Sequence, residues 1–440
     1  MHSRILRSDR LLIRRSTVSL GLRMAAALAN YVSAIFLARW MDRSDYGSFS
    51  MLLSIMALAG TVATLGAPPA IIRFLGQYTS NARPDLAHGA IRYAIRHVLM
   101  GGAALSALLI SGTLLAGPAL SGSPPNIGFA LGLALILGYA IMEVQGAIAR
   151  YFNHIALALG PKDVLWRLLL IPICFLTARL LPQSAQFLTL TIAATGSLFA
   201  IAVGQSLLLQ RAIPDDIRTA PAKTDASEWR RTALPIWLAA VATTALGYSD
   251  TIVTGLLLSP ADAALYFAAS RTASLASFLL FSITMVVGPE ISRFYHSGQF
   301  DKLQTTLRFG ALVVFVPTLL LLLFWLIAGP TVLRLFGPQY AAAYPVLIVL
   351  AVGQTVNATA GCVALLMNMT GHQTQAARIQ VSTAALALLA MPIAAYIAGS
   401  LGIALVVSAG LALLNIRMIS YARRHAGFDS SILGLMFPPK

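Results

Sequence analysis

Charged residues, and acidic ones above all, are scarce in this sequence. Lysine, arginine, aspartate and glutamate make up 10% of its 440 residues, against about 25% in soluble globular chains. Apolar residues make up 58%, so there are too few charges to cover a soluble surface. The composition excludes an ordinary soluble protein and indicates a chain that crosses a membrane several times.

Cysteine and lysine are equally rare. The two cysteines, Cys174 and Cys362, lie in apolar segments at unrelated spacing, so we interpret them as buried packing residues rather than a disulfide or a metal site. Only four of the 31 basic residues are lysine, and the net charge is +16. In a membrane protein this surplus is typical of basic cytoplasmic loops that face anionic lipids. We therefore expect membrane lipids, and no nucleic acid, as partners.

Motifs of nucleotide hydrolysis, zinc proteolysis and serine catalysis are missing as well. No G-x-x-x-x-G-K-[ST] loop occurs, and neither does H-E-x-x-H or G-x-S-x-G. The longest predicted outer loop, near 116–126, has no ionisable residue that could serve a membrane glycosyltransferase or ligase. We expect a protein that is not an enzyme and has no cofactor, with sodium or proton coupling left open.

The sequence does contain a series of long apolar segments. A membrane-spanning helix needs about 20 mostly apolar residues, and charge clusters, glycine and proline divide the chain into twelve such segments. The predicted spans are 17–38, 47–70, 91–115, 127–149, 163–181, 185–209, 233–257, 264–288, 308–329, 342–368, 375–397 and 399–418. With a cytoplasmic N-terminus, 25 basic residues fall inside and four outside, which favours twelve helices with both termini in the cytoplasm.

The two halves of the sequence resemble each other when one is shifted by 220 residues. The shift aligns Asp42 with Asp262 and Arg73 with Arg293, residue types scarce enough here to make the matches informative. Each half has six predicted helices, so the repeat is parallel. We predict an all-α, polytopic membrane protein with about twelve transmembrane helices in two six-helix bundles. The predicted segments are a basic cytoplasmic N-terminus 1–16, a bundle 17–210, a cytoplasmic linker 211–232, a second bundle 233–418 and a cytoplasmic tail 419–440.

Several ionisable residues fall inside predicted spans, where each costs about 2.5–3.5 kcal/mol on insertion scales and normally faces a cavity or a partner. They are Arg23, Glu143, Asp250 and Arg271. Asn30 lies seven residues after Arg23 and thus on the same helix face. We predict that Arg23, Asn30, Asp250 and Arg271 line a substrate cavity. The alternative for Asp250 and Arg271 is a structural ion pair between consecutive helices.

Glu143 and Asp250 are the candidates for ion coupling, because each places a carboxylate within a predicted span. Other interpretations of Glu143 stay open. It could pair with Arg150, or lie at the membrane interface without a special role.

Residues 37–78 carry a recognisable pattern. It consists of Leu37-Ala38-Arg39, Asp45-Tyr46-Gly47, Leu65-Gly66 and Ile72-Arg73-Phe74, with an echo at Pro289-Glu290-Ile291-Ser292-Arg293-Phe294. In this pattern the sequence resembles the polysaccharide (O-antigen) flippases of bacterial inner membranes. That family belongs to the multidrug/oligosaccharidyl-lipid/polysaccharide exporter superfamily. The resemblance extends through helix spacing over about residues 10–420.

The resemblance implies a flippase that moves undecaprenyl-pyrophosphate-linked oligosaccharide to the outer leaflet by alternating access, for O-antigen, capsule or exopolysaccharide synthesis. It also implies a cationic cavity in which Arg23 and Arg271 meet the pyrophosphate, and a polysaccharide polymerase and glycosyltransferases as partners. Two alternatives stay open. One is an ion-coupled multidrug exporter of the same superfamily that uses Asp250 or Glu143, and the other is a membrane scaffold for polysaccharide assembly.

Overall fold

The computed structural model describes residues 2–115 and 126–432, and each regular element in these ranges is a helix. The side chains of the predicted basic segment 1–16 and residues 433–440 of the predicted tail lie outside that description. The chain separates into two compact units, residues 1–244 and 245–440. The all-α fold predicted from the sequence is confirmed.

The first unit holds six predicted spans and the beginning of a seventh helix. Its helices are α1 (His2–Trp40), α2 (Arg43–Ala63), α3 (Ala67–Ser80), α4 (Pro84–Leu115), α5 (Ile127–Gly132), α6 (Leu135–Tyr151), α7 (Ile155–Leu159), a π-helical stretch (Gly160–Trp166), α8 (Arg167–Leu180), α9 (Gln183–Ala212), α10 (Asp215–Arg218) and α11 (Ala226–Leu257), which continues into the second unit. The second span is broken between α2 and α3, because Leu65 and Gly66 take positive φ angles of 49° and 77°.

The second unit ends in a helical hairpin. Its helices are α12 (Pro260–Ala273), α13 (Leu275–His296), α14 (Phe300–Leu333), a 3-10 turn (Pro338–Ala343), α15 (Tyr344–Thr359), α16 (Val363–Met369), α17 (Gln373–Tyr421) and a π-helical turn (Ala422–Ala426). Within α17, Ala398 and Gly399 leave the helical region, and Gly399 has a φ of 57°. Beyond this point the Arg417 guanidinium donates to the hydroxyls of Ser382 and Thr383 at 2.8 and 3.1 Å. The chain therefore reverses at Gly399, and α17 contains two antiparallel helices.

Nine helices in the described ranges are long and apolar enough to cross a membrane. One of them, Gln373–Ala426, contains the hairpin and contributes two crossings. Two further predicted spans, 163–181 and 264–288, are interrupted by the π-helical stretch before Arg167 and by the break at Ser274. Counted together, these segments agree with the predicted fold of about twelve transmembrane helices.

The two halves repeat the same order of helices. In each, a broken span (α2–α3 or α12–α13) is followed by a long unbroken helix (α4 or α14). The two broken spans begin at Arg43 and Pro260, after the capping residues Asp42 and Ser259. The predicted parallel repeat is confirmed, and its 220-residue register stays a prediction.

The predicted linker is fixed to the first unit. The Lys223 N–H donates to the Asp85 carbonyl oxygen at 3.0 Å, and the Lys223 ammonium lies 3.1 Å from the Asp85 carboxylate. His88 Nδ1 lies 2.6 Å from the carbonyl oxygen of Ala220. Gly89 lies so close to Lys223 that a Cβ at position 89 would be 1.7 Å from the Lys223 carbonyl oxygen. The linker therefore packs on the start of α4.

Candidate functional site

Arg271 lies in the last turn of α12, directly before the break at Ser274. The Ser274 hydroxyl donates to the Arg271 carbonyl oxygen at 2.9 Å, which fixes the backbone at this point. The guanidinium carbon lies 4.6 Å from the centre of the Phe267 ring and 5.1 Å from that of Tyr248. Phe267 is one turn earlier on the same helix, and Tyr248 belongs to α11. Two aromatic faces thus hold the cation by cation–π attraction.

Asp250 is buried near this arginine and has donors of its own. The Thr251 N–H and hydroxyl donate to its carboxylate at 2.7 and 3.4 Å, and the buried Tyr266 lies near it. Arg271 attracts Asp250 electrostatically, but no salt bridge joins the two in the described ranges. The Arg271 Nε is buried without a hydrogen-bond partner. We call Tyr248, Asp250, Tyr266, Phe267 and Arg271 the C-terminal arginine site.

The first unit gathers its charges around Lys162. The Lys162 ammonium hydrogen-bonds the Glu143 carboxylate, lies 3.1 Å from that of Asp163 and stands 4.5 Å from the centre of the Tyr139 ring. The side chains of Lys162 and Glu143 are 15% and 24% exposed. Tyr139 and Glu143 are one turn apart on α6, and Gly60 of α2 leaves room for the ring, since a Cβ there would lie 2.5 Å from it.

Two arginines complete this group. Arg23 interacts electrostatically with Arg150 and Asp163, and Arg150 with Glu143. The group therefore holds three cations and two carboxylates. We call Arg23, Glu143, Arg150, Lys162 and Asp163 the N-terminal charge cluster. Its composition makes it weakly cationic, because most of its positive charge has an acidic neighbour.

The predicted cavity residues are thus distributed over both units. Asp250 and Arg271 lie together in the second unit, and Arg23 belongs to the N-terminal charge cluster. Asn30 is partly exposed on α1, and its carbonyl oxygen accepts the Ser33 hydroxyl at 3.0 Å. The assignment of these residues to a substrate cavity stays a prediction.

Lys162 and Asp163 are charged residues that the sequence analysis does not name as site candidates. Lys162 lies one residue before the predicted span 163–181, and the chain at Gly160–Trp166 is a π-helical stretch that leads into α8. Such stretches are frequent at functional sites. The apolar run that begins directly after Asp163 is the sequence signal that could have placed the lysine in a helix.

Ion coupling remains a prediction. Within the residues that the structure describes, no group of three or more histidine, cysteine, aspartate or glutamate side chains could hold a metal ion. The two candidate carboxylates have protein partners, since Glu143 bonds Lys162 and Asp250 bonds Thr251.

The chain shares its fold with known membrane transporters. A family model described as polysaccharide biosynthesis protein matches residues 12–295, and no curated protein sequence matches the chain. A multidrug resistance MATE family transporter of the MOP superfamily, solved in an inward-facing conformation, has a TM-score of 0.73 at 14% identity, covering 94% of this chain and 98% of that chain. A MATE in complex with MaL6 has a TM-score of 0.67 at 16% identity, covering 94% and 96%. A MOP superfamily transporter from Pyrococcus furiosus, reported with a binding pocket of reverse polarity, has a TM-score of 0.62 at 15% identity, covering 96% of both chains.

Proposed function

Because this chain belongs to the polysaccharide biosynthesis protein family, we propose that it is a flippase for a lipid-linked oligosaccharide. The proposed substrate is an undecaprenyl-pyrophosphate-linked repeat unit, moved from the inner to the outer leaflet of a bacterial inner membrane by alternating access. Both termini of the protein lie in the cytoplasm, and the product enters O-antigen, capsule or exopolysaccharide synthesis.

The observation that carries this proposal is the environment of Arg271. A pyrophosphate that enters a membrane protein needs fixed positive charge, and a guanidinium offers paired donors that match phosphate oxygens. Arg271 is held by two aromatic rings rather than by a carboxylate, and its Nε has no hydrogen-bond partner. Asp250 takes hydrogen bonds from Thr251, so it does not neutralise the arginine by direct contact. An anionic substrate would supply the missing acceptors.

The N-terminal charge cluster supports the same substrate class. Its surplus of one positive charge favours an anion over a cationic drug. Arg23, which the sequence predicts to line the cavity, is the cluster residue that we propose for substrate contact. An anionic headgroup at Arg23 would be attracted by both Arg23 and Arg150, which repel each other in its absence.

The competing function is ion-coupled export of cationic drugs. The fold is compatible with it, because MATE transporters share it. The charges disfavour this function. Arg271 has no salt bridge that neutralises it in the described ranges, so it would repel a cationic drug. The coupling ion, if one is used, would bind at Glu143 or Asp250 in place of their present partners.

The experiment is mass spectrometry of polyprenyl-linked oligosaccharides in cells depleted of the protein, with inner-leaflet and outer-leaflet pools separated. We expect complete lipid-linked units to accumulate in the inner leaflet. We expect rescue by wild-type protein and by Arg179→Ala, a matched control in which another arginine beside an aromatic ring is removed. Arg271→Ala should fail to rescue. Unchanged lipid pools together with new drug sensitivity would overturn the flippase and favour the exporter, and unchanged pools without drug sensitivity would favour the scaffold.

A further inference from the structure

The first unit contains a cavity of about 300 Å³ beside the break between α2 and α3. Its walls come from α3, α4 and the first turns of α11, and most of them are apolar or aromatic. The lining residues that matter here are Phe74, Tyr93, Trp229, Arg230, Leu234 and Trp237. We call this space the tail cavity.

The indole N–H groups and one ring nitrogen of the histidine in its walls already have partners within the protein. The Trp229 Nε1 donates to the Tyr78 hydroxyl at 2.8 Å, and the Trp237 Nε1 donates to the Val62 carbonyl oxygen at 3.1 Å. His97 uses its Nδ1 on the Tyr93 carbonyl oxygen at 2.9 Å. Walls of this kind favour an apolar ligand over water.

The size of the tail cavity fits a short stretch of hydrocarbon chain. A dry cavity of about 150 Å³ accommodates one benzene ring, so this one has room for roughly ten carbon atoms, or about two isoprene units. The large apolar side chains Leu65 and Leu234 line it and are 47% and 54% exposed. They form an apolar path for a hydrocarbon chain that enters from the bilayer.

The charged side chain that lines the cavity is positive. Arg230 lines it and is exposed, with its Nε donating to the Ala226 carbonyl oxygen at 3.2 Å. None of the described residues that line the cavity is acidic. A ligand that matches both the apolar walls and the positive charge of Arg230 has an apolar chain with an anionic end. A cationic aromatic molecule would find rings for stacking but no counter-charge.

We propose that the tail cavity binds the isoprene units next to the phosphate of a polyprenyl-linked substrate, with Arg230 binding the phosphate. This proposal rests on the proposed function, because the flippase substrate is the lipid that combines these two parts. It assigns to the first unit a binding site for the lipid part of the substrate, occupied at a different step of transport from the contact between the pyrophosphate and Arg271.

The test is photolabelling of the full-length protein in nanodiscs with a farnesyl phosphate that carries a diazirine on its first isoprene unit. Labelled peptides are identified by mass spectrometry. Leu234→Trp fills the cavity, and Leu238→Trp is its control, one turn later on α11, 47% exposed and outside the lining. Arg230→Gln removes the cation, and Arg231→Gln is its control at the neighbouring position.

We expect label on residues of α3, α4 and α11 that line the cavity. Leu234→Trp should lower labelling about tenfold and Arg230→Gln about three- to tenfold, while both controls stay near wild type. Unlabelled polyprenyl phosphate should compete, and phosphatidylglycerol in similar amounts should not. Label on other helices, equal loss in the controls, or equal competition by phosphatidylglycerol would overturn the proposal.

Leaflet-resolved transport separates this proposal from the proposed function. If Leu234→Trp leaves labelling unchanged while Arg271→Ala stops transport, the tail cavity is refuted and the flippase stands. If labelling follows the expected pattern while wild-type protein moves no lipid-linked oligosaccharide, the lipid site stands and the proposed function is refuted.

Discussion

The two units surround their partly buried cations with different neighbours. In the first, Lys162 bonds Glu143 and lies beside Asp163. In the second, Arg271 lies between two aromatic rings, and the nearby Asp250 takes hydrogen bonds from elsewhere. The same order of helices therefore carries salt-bridged charges in one unit and, in the other, an arginine that attracts a nearby aspartate without a salt bridge in the described ranges.

This difference predicts that mutations of the charges affect mainly stability in the first unit and mainly substrate binding in the second. Breaking a compensated pair leaves a partly buried charge alone, so we expect such changes to act first on folding. Removal of a cation that is held by aromatic rings breaks no salt bridge, so we expect it to act first on substrate binding. A repeat can thus keep its helices while its two copies use charge for different purposes.

The largest effect on stability should follow from Glu143→Gln. It leaves Lys162 with Asp163 as its remaining carboxylate contact and should lower the free energy of unfolding by about 3 kcal/mol. The check is thermal unfolding of the purified protein in detergent. The double variant Glu143→Gln/Lys162→Met should recover most of the loss. A single variant as stable as wild type would show that the cluster is not held together by this pair.

A somewhat smaller effect should follow from Gly89→Ala. The added Cβ would overlap the Lys223 carbonyl oxygen, so the linker has to move away from α4, at a cost of roughly 1–3 kcal/mol. Limited trypsin digestion should then cut faster at Arg218 and Lys223. Gly204→Ala is the matched control, since its Cβ would meet nothing within 4 Å. Equal digestion of the two variants would contradict the packing of the linker.

Removal of one ring from the C-terminal arginine site should have a modest effect on transport. Phe267→Leu deletes one of the two cation–π contacts of Arg271, worth about 1 kcal/mol, so the transport rate should fall about fivefold. Tyr139→Leu removes the ring beside Lys162, which keeps its carboxylates, and should change transport less than about twofold. Transport assays of both variants at matched expression check this contrast. Equal losses would remove the functional distinction between the units.

The smallest effect should come from Asp215→Asn in the linker. Its pair with Arg218 is exposed, at 81% and 51% for the two side chains, and exposed pairs contribute about 0–1 kcal/mol. We expect thermal stability and transport within error of wild type. A clear loss in either would mean that α10 has a role that its exposed ion pair does not reveal.

The helical fold and the repeat could be predicted from sequence because both follow from simple constraints. Bilayer thickness fixes the length of an apolar span, and scarce residue types such as Asp42 and Asp262 reveal the repeat. The 220-residue register of the repeat stays a prediction, because helix boundaries such as the start after Ser259 depend on local caps.

The partners of each charge could not be predicted in the same way. The sequence identified Arg271 and Asp250, but the rings of Tyr248 and Phe267 become partners only when α11 packs beside α12. Lys162 lies one residue before the predicted span 163–181, so its contacts with Glu143 and Asp163 could not be expected from that span. Such pairings depend on contacts between helices, and hydropathy carries no information about them.

The most direct measurement is the flipping rate of a lipid-linked pyrophosphate oligosaccharide by purified protein in proteoliposomes, for wild type, Arg271→Gln and Arg271→Lys. We predict a fall of at least about tenfold for Arg271→Gln and a partial loss for Arg271→Lys, which keeps the charge but not the paired donors. Thermal stability of all three should stay similar. A wild-type flipping rate in Arg271→Gln would contradict the assignment of Arg271 to the pyrophosphate.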